Sequence, residues 1–258
     1  MSETLALRLI ACDPVVGLPR VPMENGARPT VDDLLLEMAR LNIGAAVVRH
    51  RACFDNGPYF GNQVLLEEIA GHPGLIPAWV FTPDGCEPDF DPRRLLAEML
   101  SRGVRAAWMY PKEHYYSPRP WCAGPMYAAL QAARVPLLVE YDQVSADDLH
   151  EICAAYPELR LVLLNAPRLG RNRLLYPLLD LHPNLHMCFG PLYSVHEGIV
   201  DLCRRYGARR WVFGMGYPSA EGGAGVTGLL YAGLSEADCR AIAHENIERL
   251  LSESGGGL

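Results

Sequence analysis

Short runs of apolar and β-branched residues alternate with longer amphipathic stretches along the whole chain. This is the signature of buried strands, each followed by a helix, and so of a parallel sheet. The runs predict strands over 5–11, 45–49, 75–81, 104–109, 135–141, 159–165, 185–189 and 210–214. Two helix starts carry their own mark: Thr30 stands three residues before Asp33, and Ser145 three before Asp148, the spacing of a capping box. Further helices are expected over 61–70, 91–101, 126–133, 173–181, 195–206 and 235–252. Eight strand–helix units in 258 residues predict a closed α/β architecture, a single-domain (β/α)8 TIM barrel. The rival is an open doubly wound sheet. No linker divides the chain, so the barrel is expected over 1–251, with 252–258 as a loose tail.

Charge narrows the range of partners. The net charge of −7 offers no cationic surplus for a phosphate backbone or an anionic membrane, which argues against nucleic-acid binding and membrane association. No stretch reaches the roughly 18 apolar residues of a spanning helix. An acid stands near the first residue where a secretory signal carries base, so a cytoplasmic location is expected. The eight cysteines form no C-x-x-C pair and read as reduced, mostly buried thiols.

In a parallel barrel, reactive groups gather at the C-terminal strand ends. Those ends carry Asp13 after the first strand, Arg49 and His50 after the second, and Lys112 after the fourth. Glu140 closes the fifth strand and Asn165 the sixth, Gly190 follows the seventh, and Gly214 and Gly216 follow the eighth.

Several segments, in order, carry a resemblance: Asn62, then IPAWVFTP at 76–83, GVRAAWMYP at 103–111 and VPLLVE at 135–140. YPELRLVLLN at 156–165, WVFGMGYP at 211–218 and NIERLL at 246–251 complete the series. Together they resemble the amidohydrolase-related branch of the amidohydrolase superfamily. That resemblance implies a (β/α)8 barrel that hydrolyses or decarboxylates small molecules through a metal-activated water, often as a homodimer. It also implies His-x-His after the first strand, a histidine after each of strands five and six, and an aspartate after strand eight. The matching positions here hold Asp13 and Val15, Glu140, Asn165 and Gly216. Zinc needs three or four converging imidazole, thiolate or carboxylate donors, and this set offers two carboxylates and an amide. The expectation is therefore no bound metal and no cofactor, although two carboxylates with water suffice for a weak Mg²⁺ or Ca²⁺.

Asp13 and Glu140 are the candidate catalytic groups, a metal-free acid and base pair with one pKa raised by the other's charge. The alternative is that each is tied to a cation, Arg49 or Lys112. Arg49, His50, Lys112, Asn165 and His196 are the candidate substrate-binding residues, and the cations suit an anionic small molecule. Cys53 beside His50 suggests a nucleophile, against the commoner reading of a buried thiol. The glycine-dense stretch over 214–225 reads as a loop, with phosphate binding as its functional reading. The sequence as a whole predicts a divergent barrel without the usual metal site that keeps a small-molecule pocket. Two alternatives stay open: an active hydrolase or decarboxylase of a small carboxylated substrate, metal-free or with an unconventional ion, and a non-catalytic regulatory or structural partner.

Overall fold

The computed structural model describes residues 7–83, 91–166, 173–191, 193 and 198–255. Nine strands run in parallel: β1 (Ile10–Ala11), β2 (Val15–Val16), β3 (Ala45–His50), β4 (Leu75–Val80), β5 (Ala106–Met109), β6 (Leu137–Glu140), β7 (Leu161–Leu164), β8 (Leu185–Phe189) and β9 (Trp211–Phe213). Eight of them follow one another around the sheet in the order β1, β3, β4 and on to β9. The Cys12 N–H then donates to the Phe213 carbonyl at 2.9 Å and draws the last strand against the first. The eight predicted strands and the barrel are all present. Strand ends fall one to three residues short in most cases, as ladder hydrogen bonds stop before the apolar run does.

The strands are buried on both faces, which is why they read as continuous apolar runs rather than alternating ones. Alternate residues form two cores. Inside the barrel lie Ile10, Cys12, Ala45, Val47, Ala78, Val80, Ala106, Trp108, Leu138, Val162, Leu164 and Val212, where small residues make room for the one tryptophan. A larger core sits between the strands and the helices outside them. The inward positions 45 and 47 are followed by 49, 106 and 108 by 110, and 138 by 140. Strand period therefore carries Arg49, Tyr110 and Glu140 onto the layer above the packed interior.

The first strand breaks at Pro14 and resumes as β2, which pairs with the end of β3 (Val15 with Arg49, Val16 with His50). Asp13 sits in that break.

The helices are α1 (Val31–Arg40), α2 (Ala52–Asp55), α3 (Pro58–Glu68), α4 (Pro92–Ser101), α5 (Pro120–Ala132), α6 (Ala146–Ala155), α7 (Leu175–Leu181), α8 (Gly198–Tyr206), α9 (Gly222–Leu230), α10 (Glu236–Arg240) and α11 (Asn246–Ser252). Thr30 and Ser145 cap α1 and α6 as predicted, and the Ser145–Asp148 box is reciprocal. Each such cap contributes about 1 kcal/mol.

Four expectations need correction. α5 begins at Pro120, earlier than predicted, because one proline at the start of a helix costs nothing and Pro125 within it removes a single hydrogen bond. The expected helix over 235–252 is three pieces, with a π-helical turn at Ala241–Glu245 between α10 and α11. The glycine-dense stretch is not all loop, since α9 starts at Gly222. There a Cβ at Gly222 would meet Leu41 at 2.6 Å and one at Gly225 would meet the Gly214 carbonyl at 2.7 Å. Those glycines serve close packing. Residues 252–255 pack rather than trail: Ser254 is buried and the Gly255 N–H donates to the Ala133 carbonyl at 2.8 Å.

Two asparagines tie helices to strands. Asn62 on α3 exchanges hydrogen bonds with both the N–H and the carbonyl of Val80, at 2.8 and 3.0 Å. Asn246 on α11 donates to the Ala208 and Trp211 carbonyls. Among the described residues, no helix is long and apolar enough to cross a membrane.

Candidate functional site

Four of the residues singled out in the sequence meet at the C-terminal mouth. Asp13 is buried, and its two carboxylate oxygens accept from the Met215 and Gly216 N–H groups, each at 2.8 Å. Glycines leave it room: a Cβ at Gly214 would come within 2.6 Å of Asp13 Oδ2, and one at Gly190 within 3.3 Å. Burial is the largest influence on Asp13 and pushes its pKa up to about 6. The two N–H groups and Arg49 lower it, and Glu140 raises it, without reversing that result.

Arg49 lies over Trp108, its guanidinium carbon 3.6 Å from the ring centroid. Nη2 donates to Glu140 Oε1 at 2.6 Å and Nη1 to the Asp13 main-chain carbonyl at 3.1 Å. Burial pushes its pKa down to about 10, while Glu140 and Asp13 pull the other way. Asn165, in the left-handed region at φ +53°, donates through Nδ2 to the second oxygen of Glu140. Glu140 thus spans a cation and an amide. Of the two readings of this carboxylate, the ion pair is the arrangement observed, and its partner is Arg49 rather than Lys112.

These groups form the floor of a cavity of about 510 Å³. Phe54, Tyr110, Tyr141 and Tyr217 wall it, and Glu113, Asp142 and Gln143 line it further up. Tyr110 meets Phe54 edge to face at 5.5 Å.

The other expected residues lie elsewhere. His50 follows Arg49 by one residue and so faces away from the barrel interior. It accepts the Ala52 N–H at Nδ1 and meets Glu68 at 3.1 Å through Nε2, packed under Gly17 where a Cβ would fall 2.5 Å from the ring. Lys112 is exposed at the rim and donates to the Asp142 main-chain carbonyl. His196 lies outside the described residues. Cys53 is buried against α3, its thiol donating to Asn62 and pushed up to about 12 by burial, which leaves it inert as a nucleophile.

The phosphate reading of the glycine-dense stretch also meets an obstacle. The start of α9 is covered by the chain's own Glu221, whose carboxylate accepts from the Ala224 N–H at 3.2 Å and pairs with Arg40.

Sequence reasoning missed the Met215 and Gly216 N–H groups and the part of the wall formed by Phe54. The signal was present: glycines at 190, 214 and 216, just past two strand ends, mark where a carboxylate approaches main chain. Among the described residues, no three His, Cys, Asp or Glu side chains gather in a way that would hold a metal ion.

The family model described as Amidohydrolase matches residues 14–252. The chain belongs to the amidohydrolase family. Solved structures similar to this amidohydrolase-family barrel include an uncharacterised TIM-barrel protein from Bordetella bronchiseptica, with a TM-score of 0.71 and 17% identity over 96% of this chain and 100% of that one. A 5-carboxyvanillate decarboxylase from Sphingomonas paucimobilis gives 0.72 and 14%, over 95% and 99%. An amidohydrolase from Burkholderia multivorans with bound zinc gives 0.69 and 17%, over 95% and 99%. At these identities the likeness is one of fold. No curated protein sequence matches the chain significantly.

Proposed function

We propose that this amidohydrolase-family barrel binds a small organic molecule at its mouth and does so without the catalytic metal that the family resemblance implies. The observation that carries this reading is the Arg49 guanidinium, clamped 2.6 Å from Glu140 and 3.6 Å over Trp108. It places a fixed positive charge beside two of the positions where the resemblance expects ligands for a positive ion. Asp13 is spent on two backbone N–H groups, Val15 has no donor atom, and Gly216 offers only main chain. These residues do not fit a tightly held zinc. A cavity of about 510 Å³ with aromatic walls and a few converging polar groups is of the size and make-up of a small-molecule site.

The test is metal content together with thermal unfolding. The purified protein is expected to carry far less than one zinc, manganese or iron per chain, and its midpoint to be unmoved by chelator or by added Zn²⁺ or Mn²⁺. A specifically held ion would instead stabilise by about 2.7 kcal/mol at a hundred times its dissociation constant, and a stoichiometric, chelator-sensitive ion overturns the proposal.

A second reading has its own support. Asp13, pushed up to about 6 at the cavity floor, exchanges its proton near neutral pH, as a general acid or base must. On that reading the barrel is a metal-free hydrolase or decarboxylase, and its rate against pH would turn near 6 and lose that turn in Asp13→Asn.

A further inference from the structure

The four-residue helix α2 carries Phe54 into the wall of the mouth, and two imidazoles bond its first turn. The Ala52 N–H donates to His50 Nδ1 at 3.0 Å, and the Cys53 carbonyl accepts from His114 Nε2 at 2.9 Å. His50 closes β3 and His114 lies in the turn after β5, so the two rings hold the helix from two sides. Tyr110, which Phe54 meets edge to face, also packs edge to face on His114, with centroids 6.0 Å apart.

Each contact fixes where its ring carries hydrogen. An N–H only donates, so His50 Nδ1 is bare and the hydrogen sits on Nε2, which faces Glu68 Oε2 of α3 at 3.1 Å. A carbonyl only accepts, so His114 carries its hydrogen on Nε2, and its Nδ1 is bare, buried and without a partner among the described residues. Neither ring has a place for a second proton. On His50 that proton would point at the Ala52 hydrogen: the pair with Glu68 survives charging, and the bond from α2 does not. Gly17 lies against the His50 ring and leaves it little room to turn. On His114 the second proton would make a buried N–H with no acceptor. Burial, the largest influence there, already holds the His114 pKa below the usual imidazole value, although the Cys53 carbonyl and Glu113 raise it. The remaining charged groups around α2 are tied to other partners. Arg51 pairs with Asp55, which also accepts the Arg20 N–H, Arg49 holds Glu140 from the opposite face of β3, and Lys112 holds the Asp142 carbonyl.

We infer that α2 is a pH-released clamp on the mouth: with His50 and His114 neutral it holds Phe54 against Tyr110, and as the two imidazoles take up protons its first turn comes loose and that part of the wall opens. The sign follows from linkage. Rings that are harder to protonate in the closed arrangement than in the open one favour closure at high pH, and that preference is lost as pH falls. The consequence for a ligand rests on the small-molecule reading above, while the release itself does not.

Amide hydrogen exchange followed by NMR on the full chain, with no ligand added and each rate divided by the intrinsic rate at that pH, reads the clamp directly. Between roughly pH 7.5 and roughly pH 5.5, either side of the ordinary imidazole value, protection of the Ala52 and Phe54 amides is expected to fall about tenfold, the loss of one ordinary hydrogen bond. The Asp33 and Asp148 amides, capped by the Thr30 and Ser145 hydroxyls, are expected to keep theirs. In the wild type the fall should track the imidazole nitrogen signals of His50 and His114, with Nδ1 of both rings bare at the higher pH. His50→Asn keeps an acceptor for the Ala52 N–H and His114→Gln keeps a donor for the Cys53 carbonyl, and neither replacement titrates. The double variant is expected to hold its protection at both pH values. Asp13→Asn removes another group that titrates in this range and is expected to leave the fall in place. Constant protection in the wild type, a fall at a different pH from the two imidazole titrations, or a fall that persists in the double variant overturns the inference. Each of those outcomes leaves the small-molecule pocket standing, and a metal found at the mouth would leave the clamp standing.

Discussion

Two arginines, one at each end of the barrel, show how differently the same side chain is used. Arg210, just before β9, sits at the N-terminal end and gives its guanidinium wholly to main chain: Nε and Nη2 to the Leu185 carbonyl, Nη1 to Leu179 and Nη2 also to His182. The carbonyls of Leu179 and His182 belong to the end of α7, where a cation is favoured by the helix dipole. Arg49, at the C-terminal end, holds one carboxylate and one carbonyl over an indole face, and its Nε has no partner among the described residues. The base of the barrel spends its cation on completing backbone hydrogen bonds. The mouth spends its cation on another ionised side chain. This is the division of labour expected of a barrel whose stability lies at one end and whose chemistry lies at the other.

The contrast breaks hardest at Arg49. Arg49→Ala leaves Glu140, whose side chain is only 12% exposed, without its counter-charge and is expected to lower the unfolding free energy by about 3 kcal/mol in chemical denaturation. Pairing it with Glu140→Leu should recover much of that loss. If the single variant unfolds at the wild-type denaturant midpoint, the ion pair is not what organises the mouth.

Next comes Asp13, through pH. Its proton affinity is raised on folding, so its contribution to stability is complete below the unfolded carboxylate value near 4. That contribution drains away as pH climbs through about 6. A shift of this size corresponds to about 3 kcal/mol. The stability of the wild type relative to Asp13→Asn should therefore fall by about that much between roughly pH 4 and 7. A flat difference across that window would mean that Asp13 does not titrate there. His186, buried within β8 and held neutral with its pKa down to about 3, acts in the opposite sense. It adds stability above its unfolded value near 6.5, lost as pH falls, so only the comparison with the variant isolates Asp13.

The smallest effect belongs to Arg210. Arg210→Ala strands carbonyls near the surface and should cost about 1–3 kcal/mol. It should do so with no change in small-molecule binding at the mouth, since the residue stands at the far end of the barrel. A change in binding would show that the two ends are coupled.

The barrel was legible because each strand is an apolar run bounded by turn residues, and that pattern survives in a single sequence. The floor of the mouth was legible for the same reason: strand ends name Asp13, Arg49, Glu140 and Asn165, and period two turns Arg49 and Glu140 inward. The same period explains the misplacement of His50, since its neighbour Arg49 takes the inward face and adjacent residues cannot share it. Lys112 was misplaced because β5 ends at Met109 and a turn follows, beyond which strand periodicity has no say. The helix starting at Gly222 was missed because glycine reads as loop unless the packing that demands it is known.

Gly216 limits what the mouth can accommodate after the last strand. It holds φ at +71°, gives its N–H to Asp13, and would press any Cβ to within 3.1 Å of Pro191 and 3.0 Å of Ala220. An aspartate placed there would strain the backbone and crowd both neighbours while set beside a carboxylate already in residence. A side chain at 216 would thus ask Pro191 and Ala220 to give by a few tenths of an ångström while the backbone keeps its left-handed turn. Any carboxylate introduced there has to come with a rebuilt loop around Pro191 and Ala220.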